Sequence, residues 1–325
     1  MKNEKLKMSF RNPPRRNRPA YRTCRLRNLL DKSFNDFSPT EVGFEMTNNK
    51  LMLTTIFFLL LFNSISFAQF EHELFPSSLN IQPFTANILE PRAGFLFSMD
   101  NNKLRLDIST SRDIVKWFDD DETISIGVDL FTYTRLRSED NFKFPVETID
   151  YLFGLNAGYK KQLNNNKEFG LRFRLSHISA HLVDGQYDAQ TGDWRNGRDP
   201  FVFSKEFIEL FPYFRISSLR AYAVFTYIFH ILPENIKKFN VQLGFDYFVT
   251  QFGNENMTPF VAYDFKLEGN ESYVGKNIIF VGVKFGNWKN RGLSLYYTYI
   301  SGKSIHGEYY DLNENYSAVG FNFEL

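Results

Sequence analysis

Hydrophobic and polar residues alternate along most of the chain after residue 90. The clearest stretch is FNVQLGFDYFVT at 239–250, in which the odd-numbered positions are apolar and most even-numbered positions are polar or glycine. The same alternation recurs at 257–268 and 276–286. A period of two is typical of a β-strand with one apolar face, whereas an amphipathic helix repeats every 3.6 residues. The pattern therefore predicts an all-β protein.

Twelve segments carry this pattern. The predicted strands are 92–99, 102–111, 123–137, 148–161, 167–181, 203–216, 219–231, 238–250, 257–268, 276–286, 291–302 and 315–325. Their apolar faces are strongly aromatic, in a chain with 37 Phe and 17 Tyr, as expected for strands that contact lipid. Strands can satisfy every backbone group in a bilayer only as a closed barrel. We therefore predict a transmembrane, antiparallel, up-and-down β-barrel of about 12 strands; a secreted soluble β-domain is the alternative.

The predicted connections differ in length between the two ends of this barrel. With the N-terminus in the periplasm, the two longest outward connections are 182–202 and 303–314. Inward connections such as 164–166 and 217–218 are short. Long outer loops and short periplasmic turns are the asymmetry of outer-membrane barrels. The inward connection 112–122 (RDIVKWFDDDE) is an exception.

The first 91 residues lack the alternation. Residues 1–45 are rich in Pro and Arg and are predicted to be a mis-assigned start or a disordered basic arm. Residues 46–68 have a lysine, a short apolar run and a small-residue site, as a signal peptide does. Residues 69–91 are then a periplasmic N-terminal segment, and 92–325 the barrel. A cytoplasmic arm on an uncleaved signal anchor is the alternative for the first segment.

Charge is distributed unevenly along the chain. Residues 1–45 carry a net charge of +6 and residues 69–325 a net charge of −6, within a total of +1. The predicted folded part is therefore acidic, which argues against a nucleic-acid partner. The single cysteine, Cys24, lies in the basic arm, so the barrel needs no disulfide framework.

Charged residues of both signs occupy the polar faces of the predicted strands. These residues are Asp129, Arg135, Arg137, Asp150, Lys160, Arg172, Arg174, Glu209, Arg215, Arg220, Asp246, Asp264, Lys266 and Lys284. An ion-selective pore is expected to show a ring of one sign. The mixed signs instead predict a salt-bridged, largely closed interior.

The stretch RLSHISAHL at 174–182 carries candidate chemistry. Counting in twos from the apolar Phe169 places His177, Ser179 and His181 on the outward face of strand 167–181. Ionisable residues on a lipid-facing surface are rare and are functional candidates. At the end of a strand they can also simply meet lipid headgroups, and this interpretation stays open.

The next strand contributes an acid to the same face. In SKEFIELFPYFRI the even-numbered positions are mostly apolar, so Ser204 and Glu206 are predicted to face outward. Glu206 would then lie beside His177 and Ser179. A serine, a histidine and an acid that orients the histidine are the parts of an activated nucleophile. In this hypothesis Ser179 attacks an ester, His177 takes its proton, and Glu206 fixes the imidazole tautomer.

These residues resemble a bacterial family of outer-membrane barrels of unknown function, which carries an H-x-S-x-H-L stretch followed by an S-x-E strand. More distantly, they resemble the outer-membrane phospholipase A family, which has an H-x-S pattern on the outer wall of a twelve-stranded barrel. That resemblance implies that His177 is the base and Ser179 the nucleophile, with Glu206 at the position of the family's Asn. Ala180-His181 replaces the Asn-Gly that follows the serine in that family.

The phospholipase resemblance also implies calcium and a homodimer. Its calcium ligands have no counterpart here, so no metal ligand and no other cofactor is assigned. Asp184, Asp188, Asp193 and Asp199 lie in one outward loop, but their spacing is not diagnostic of a cation site. A solvated acidic loop is the alternative. The expected partners are the lipids of the bacterial outer membrane.

Two classes of function remain open from the sequence. The first is an integral outer-membrane β-barrel with a structural or narrow-channel role. The second is a lipid esterase similar to phospholipase A, which uses the outward-facing His177, Ser179 and Glu206.

Overall fold

The structure, a computed structural model, describes residues 70–253, 256–270 and 272–324. The predicted basic arm at 1–45 and the predicted signal peptide at 46–68 lie outside these residues. Within the described ranges, no helix has the length and apolar character needed to cross a membrane.

The described residues form fifteen strands. These are β1 (Glu71–Leu74), β2 (Ala93–Ser98), β3 (Lys103–Phe118), β4 (Glu122–Arg137), β5 (Val146–Asn164), β6 (Lys167–Leu182), β7 (Tyr187–Asp188), β8 (Asp193–Trp194), β9 (Phe203–Ile216), β10 (Leu219–Leu232), β11 (Phe239–Phe248), β12 (Met257–Asn270), β13 (Ser272–Phe285), β14 (Gly292–Lys303) and β15 (Asn313–Glu324). Twelve of them, β2–β6 and β9–β15, pair antiparallel in a closed ring in which β15 returns to β2. The predicted twelve-stranded barrel is confirmed.

Side chains alternate between the lumen and the outside of this barrel. On β11, Asn240, Gln242 and Asp246 are buried in the lumen, whereas Leu243 is 55% exposed. Outward positions of the other strands show the same exposed apolar character, for example Leu130 and Val281. The alternation read from the sequence therefore assigned the two faces of these strands correctly.

The two ends of the barrel carry connections of different length. One end carries the 183–202 and 304–312 connections, and we call it the loop end. The other end carries two-residue turns at 165–166 and 217–218, and we call it the turn end. The short strands β7 and β8 form a small hairpin within the 183–202 connection.

Strand β3 is longer than the sequence predicts. The predicted strand 102–111 and the predicted connection 112–122 are wrong, because β3 continues to Phe118 and only residues 119–121 connect it to β4. The register of the β3–β4 pair shifts between Asp113 and Val115. A bulge inserts one extra residue and so interrupts the two-residue alternation that marks a strand in the sequence. The apparent long turn was therefore the continuation of a strand.

Residues 75–92, which we call the lumen segment, lie mostly inside the barrel; Phe75, Ser77 and Ser78 at its start are exposed. The segment leaves β1, whose Leu74 pairs with Val115 of β3, and returns to the wall at β2, whose Ala93 pairs with Ile108 of the same strand. Phe84 and Glu90 in between are almost completely buried. The sequence placed residues 69–91 in the periplasm; no periodicity in them predicts a position inside the barrel.

Polar and aromatic contacts hold the lumen segment in place. Arg172 donates a hydrogen bond of 3.0 Å to Glu90, and Arg174 donates one of 2.9 Å to the carbonyl of Leu89. The Phe84 ring stacks on Phe211 with 5.6 Å between ring centroids. An unpaired buried charge is costly. The charged residues of the wall that face the middle of the lumen therefore pair with groups of this segment.

Other charges of the lumen are also paired. Arg174 forms a salt bridge with Glu209 at 2.9 Å, and the Nε of Arg220 donates a 2.9 Å hydrogen bond to Asp246. Arg135 pairs with Glu147 at 3.0 Å. The predicted salt-bridged interior is confirmed.

The 304–312 connection folds into the loop end instead of projecting away from it. His306 is 4% exposed, and its Nδ1 lies 2.7 Å from a carboxylate oxygen of Asp150 on β5. The backbone amide of Gly307 donates a 2.7 Å hydrogen bond to the other oxygen of Asp150. His306 therefore anchors the loop and is not part of an exposed surface.

Glu308 in this connection predicts a pH-dependent stability. Burial raises the pKa of its carboxyl group from 4.5 to about 7, against a smaller opposing effect of the backbone at Phe201 and Leu182. A group with a higher pKa in the folded state makes the protein less stable as the pH rises from the unfolded value through the folded one. We expect urea to unfold the wild type more easily at pH 8 than at pH 5, and Glu308→Gln to reduce this difference. If Glu308→Gln shows the same difference between pH 8 and pH 5 as the wild type, Glu308 is not the group that causes it.

Candidate functional site

The candidate site lies on the outward face of the barrel near the loop end, on β6 and β9. His177 and Ser179 on β6 are partly exposed and His181 is exposed, whereas Ile178 and Ala180 between them are buried in the lumen. The predicted outward orientation of the three residues is confirmed. Phe203 and Phe207 of β9 point into the lumen, so Ser204 and Glu206 share the outward face.

The pairing of β6 with β9 brings the acid to the histidine. His177 lies directly opposite Glu206 in the register. The Nδ1 atom of His177 is 2.6 Å from Oε1 of Glu206, and both side chains are 28% exposed. The His177 ring also packs on Phe153 of β5, with ring centroids 4.8 Å apart. A carboxylate at Nδ1 favours the tautomer that carries its proton there, which leaves Nε2 as a base.

Ser179 lies on the same face but is not hydrogen-bonded to His177. Its hydroxyl has no hydrogen-bond partner in the part of the chain that the structure describes. Positions two apart on a strand are about 6.5–7 Å apart along the backbone, so rotation about the side-chain bonds controls whether the hydroxyl meets the imidazole. Contacts of this kind often tighten only when substrate binds. The structure thus joins His177 to Glu206 and places Ser179 beside them.

A second histidine, His230 on β10, contacts the same carboxylate. Its Nδ1 bonds to Oε2 of Glu206, and its side chain is 60% exposed. Counting in twos from the lumen-facing Arg220 predicts His230 on the lumen face, and this prediction is wrong. The register of β10 shifts between Ile228 and His230, so both Phe229 and His230 are exposed and the alternation restarts one residue later. The sequence gives no sign of this bulge, because neither Phe229 nor His230 is a turn-forming residue.

Glu206 is therefore the centre of the cluster. It accepts hydrogen bonds from both histidines on its two oxygens, and the hydroxyl of Ser204 lies 3.4 Å from Oε1. Three neighbouring strands supply these groups, so the sheet itself sets their spacing. Ser204 is also the residue directly opposite Ser179.

The acidic loop does not assemble a cation site within the described residues. Asp188 forms a salt bridge with Arg195 at 3.5 Å and accepts a hydrogen bond from the amide of Gln190. Asp193 accepts one from the amide of Trp194. Among the described residues, which include Asp184 and Asp199, no group of three or more His, Cys, Asp or Glu side chains is arranged to hold a metal ion. Asp188 and Asp193 instead stabilise the turns of this loop.

The sequence profile described as "Protein of unknown function (DUF1207)" matches residues 155–325. No curated protein matches the sequence. Among solved structures, the fold is similar to the outer membrane phospholipase A from Escherichia coli, with 12% identity, a TM-score of 0.46, and coverage of 76% of this chain and 94% of the other. It is also similar to the Pseudomonas putida toluene transporter TodX, with 9% identity, a TM-score of 0.36 and 69% coverage of each chain.

Proposed function

The chain belongs to the DUF1207 family of proteins of unknown function, and we propose that it is an integral outer-membrane β-barrel that hydrolyses acyl esters of membrane lipids. The contact between His177 and Glu206, on the outward wall beside Ser179, is the observation that carries this proposal.

The exposed apolar surface supports a location in the membrane. Outward residues on every side of the barrel, among them Phe153, Leu243 and Leu295, are about half exposed. Soluble monomers rarely expose a contiguous apolar surface larger than a few hundred Å², and such a surface around a closed barrel fits the hydrocarbon of a bilayer. In this arrangement the loop end faces outward and the turn end faces the periplasm.

The position of the site supports an ester of a membrane lipid as substrate. Below His177 towards the turn end, the same face of β6 carries the exposed Phe173 and Leu175. His177 and Ser179 follow at the polar end of this face. Ester carbonyls of lipids lie at the boundary between hydrocarbon and water, and the apolar residues below would contact the acyl chain.

The reaction then follows from the order of the groups. The Ser179 oxygen forms a bond to the ester carbonyl carbon while its proton moves to Nε2 of His177, and Glu206 stabilises the resulting imidazolium. Collapse of the tetrahedral species breaks the bond to the alcohol, which takes the proton from His177. Water, deprotonated by His177, then releases the acyl group as a fatty acid and restores Ser179.

The test measures fatty acid release from phospholipid in mixed micelles by the purified, detergent-solubilised barrel. The assay is run with calcium and with a chelator, since the resemblance implies calcium. Release in either condition that disappears in Ser179→Ala supports the proposal. A rate equal to that of Ser179→Ala in both conditions would overturn it.

The second candidate is a barrel with a structural role. The free hydroxyl of Ser179 favours it, because His177 is hydrogen-bonded to Glu206 and not to Ser179. In this role His177, Glu206 and His230 form a polar cluster that joins three strands at the membrane surface. A narrow channel has less support, because the lumen segment fills the middle of the barrel. The lipid assay separates the structural role from the esterase, since a structural cluster leaves no hydrolysis.

Glu206→Gln is expected to lower turnover by about 10²–10⁴-fold, because the amide no longer stabilises the charged imidazole. His230→Gln is expected to cost less than about tenfold, since Glu206 keeps its contact with His177. Steady-state hydrolysis with folded barrels measures both variants. Equal losses in the two variants would assign the cluster to wall stability and not to catalysis.

A further inference from the structure

A basic cavity lies in the lumen at the loop end, on the opposite side of the wall from the ester site. Three lysines from three strands line it: Lys205 of β9, Lys266 of β12 and Lys276 of β13. A fourth lining lysine, Lys303 of β14, donates a 2.6 Å hydrogen bond to the carbonyl of Asp311. The tip of the lumen segment, Ile88 and Leu89, forms part of its apolar lining. The cavity has a volume of about 70 Å³, which exceeds that needed for one water molecule.

One carboxylate faces these three lysines. Lys276 is 2.5 Å from Glu268, and Lys266 is 4.0 Å from it. Lys205 has no carboxylate partner among the described residues; its ammonium group lies 5.4 Å from the centroid of the Phe207 ring. Lys266 and Lys276 are almost fully buried. These three ammonium groups and one carboxylate leave an excess of two positive charges, to which the ammonium group of Lys303 adds a third.

The acids nearest to the cavity already have other partners. Glu209, whose charge acts on Lys205, is paired with Arg174 at 2.9 Å. Asp150 binds His306, itself a residue of the cavity lining, at 2.7 Å. Rearrangement of these acids towards the lysines would leave a buried arginine or the loop anchor unpaired. The excess charge is thus built into the wall, and burying it without a counterion is unfavourable.

We propose that this cavity binds a phosphate group. A phosphate or phosphate monoester carries a charge of about −1.5 to −2 at neutral pH, which offsets most of the excess positive charge. Lysine ammonium groups bind phosphate as point charges from several directions. The group can come from inorganic phosphate, from a soluble phosphate ester or from the headgroup of an outer-leaflet lipid. The site is independent of the proposed ester hydrolysis, because its residues face the lumen.

The test is calorimetric titration of the folded barrel in a maltoside detergent, which carries no phosphate. Three probes are used at constant ionic strength: inorganic phosphate, glycerol 3-phosphate, and micelles doped with phosphatidic acid. Binding of either soluble probe identifies a soluble phosphate site, whereas binding of the doped micelles alone identifies a headgroup site. Both results support a phosphate cavity. No binding of any probe to the wild type would overturn it.

The double variant Lys205→Met/Lys266→Met assigns the binding to the cavity. It removes two of the excess charges, and we expect the affinity for phosphate to fall at least tenfold. Lys143→Met, in an exposed position of the 138–145 connection, is the matched control and is expected to bind as the wild type does. Equal affinity in the double variant and the control would place the binding elsewhere.

A second measurement covers the case in which the double variant does not fold. Phosphate is expected to raise the unfolding temperature of the wild type in a concentration-dependent way, because a ligand that binds only the folded state stabilises it. Sodium chloride of the same ionic strength is the control, and the single variant Lys276→Gln should show a smaller rise. Equal rises with phosphate and chloride would contradict the proposal.

Discussion

Replacing Ser179 with alanine is expected to lower ester hydrolysis by at least about 10³-fold, because the variant has no hydroxyl to form the acyl intermediate. The loss should appear in turnover and not in the apparent affinity for micelles, since Ser179 contributes little of the outward surface that contacts lipid. Fatty acid release under saturating substrate measures this effect. Substrates with acyl chains of different lengths should show the same loss of turnover, because the substitution removes the group that reacts with the ester bond.

The matched control is Ser317→Ala. Ser317 lies on β15, on the outward face of the opposite part of the wall, and its hydroxyl is 3.0 Å from that of Tyr297. The control variant carries the same chemical change at the same kind of surface and is expected to retain wild-type turnover. Each variant is first shown to be folded by its different migration on gels before and after boiling. If Ser179→Ala hydrolyses lipid as fast as Ser317→Ala, Ser179 is not the nucleophile.

The sequence predicts the wall of this barrel well, because the physical cause of the pattern is local. Each strand must present apolar residues to one side and polar residues to the other, so its period survives in the sequence without knowledge of its neighbours. This is why His177 and Glu206 could be placed on one face before the structure. Their contact then required only that β6 and β9 pair with the register that the structure shows.

Bulges account for two of the errors. One extra residue in β3 near Asp113, and another in β10 near Phe229, shift every later side chain to the opposite face. A bulge is set by the register of the neighbouring strand, which counting along one strand cannot reveal. The second bulge hid His230, the third member of the cluster around Glu206.

The position of the lumen segment could not be predicted from the sequence for a different reason. Its residues pack through irregular backbone, with Arg220 donating a 2.8 Å hydrogen bond to the carbonyl of Gln82 and Arg92 one of 2.9 Å to that of Asn87. Such contacts have no period, and each joins residues far apart in the sequence or within a tight turn. The excess of lysines at the loop end is hidden for a related reason. The sequence shows charges of both signs on the polar faces, and only the structure shows which carboxylates are already paired.

The lumen and the outward site share strands of the wall, because neighbouring residues of one strand face opposite sides. Lys205 lines the phosphate cavity while Glu206 holds the two histidines, and Arg174 binds the lumen segment three residues before His177. Glu90, the acid of this segment that contacts the wall, is the residue through which to test what holds the segment in the lumen.

Glu90→Ala is expected to destabilise the barrel by about 3–5 kcal/mol, the cost of leaving a buried charge without its partner. Glu90 is 1% exposed and accepts a 3.0 Å hydrogen bond from Arg172, while Arg174 lies 3.7 Å away. Arg174 keeps Glu209, so the loss falls mainly on Arg172. The free energy of unfolding, measured by urea titration of the barrel in lipid vesicles, gives the effect.

Glu73→Ala is the matched control for this variant. Glu73 lies on β1, is exposed, and its replacement is expected to change the stability by less than about 0.5 kcal/mol. Conductance in planar bilayers provides a second readout that stability alone does not determine. The wild type should show no steady conductance because the lumen segment fills the barrel, and Glu90→Ala should show intermittent openings as the segment loses its hold on Arg172. A Glu90→Ala barrel as stable and as closed as Glu73→Ala would mean that aromatic packing around Phe84, and not the ion pair, keeps the segment in the lumen.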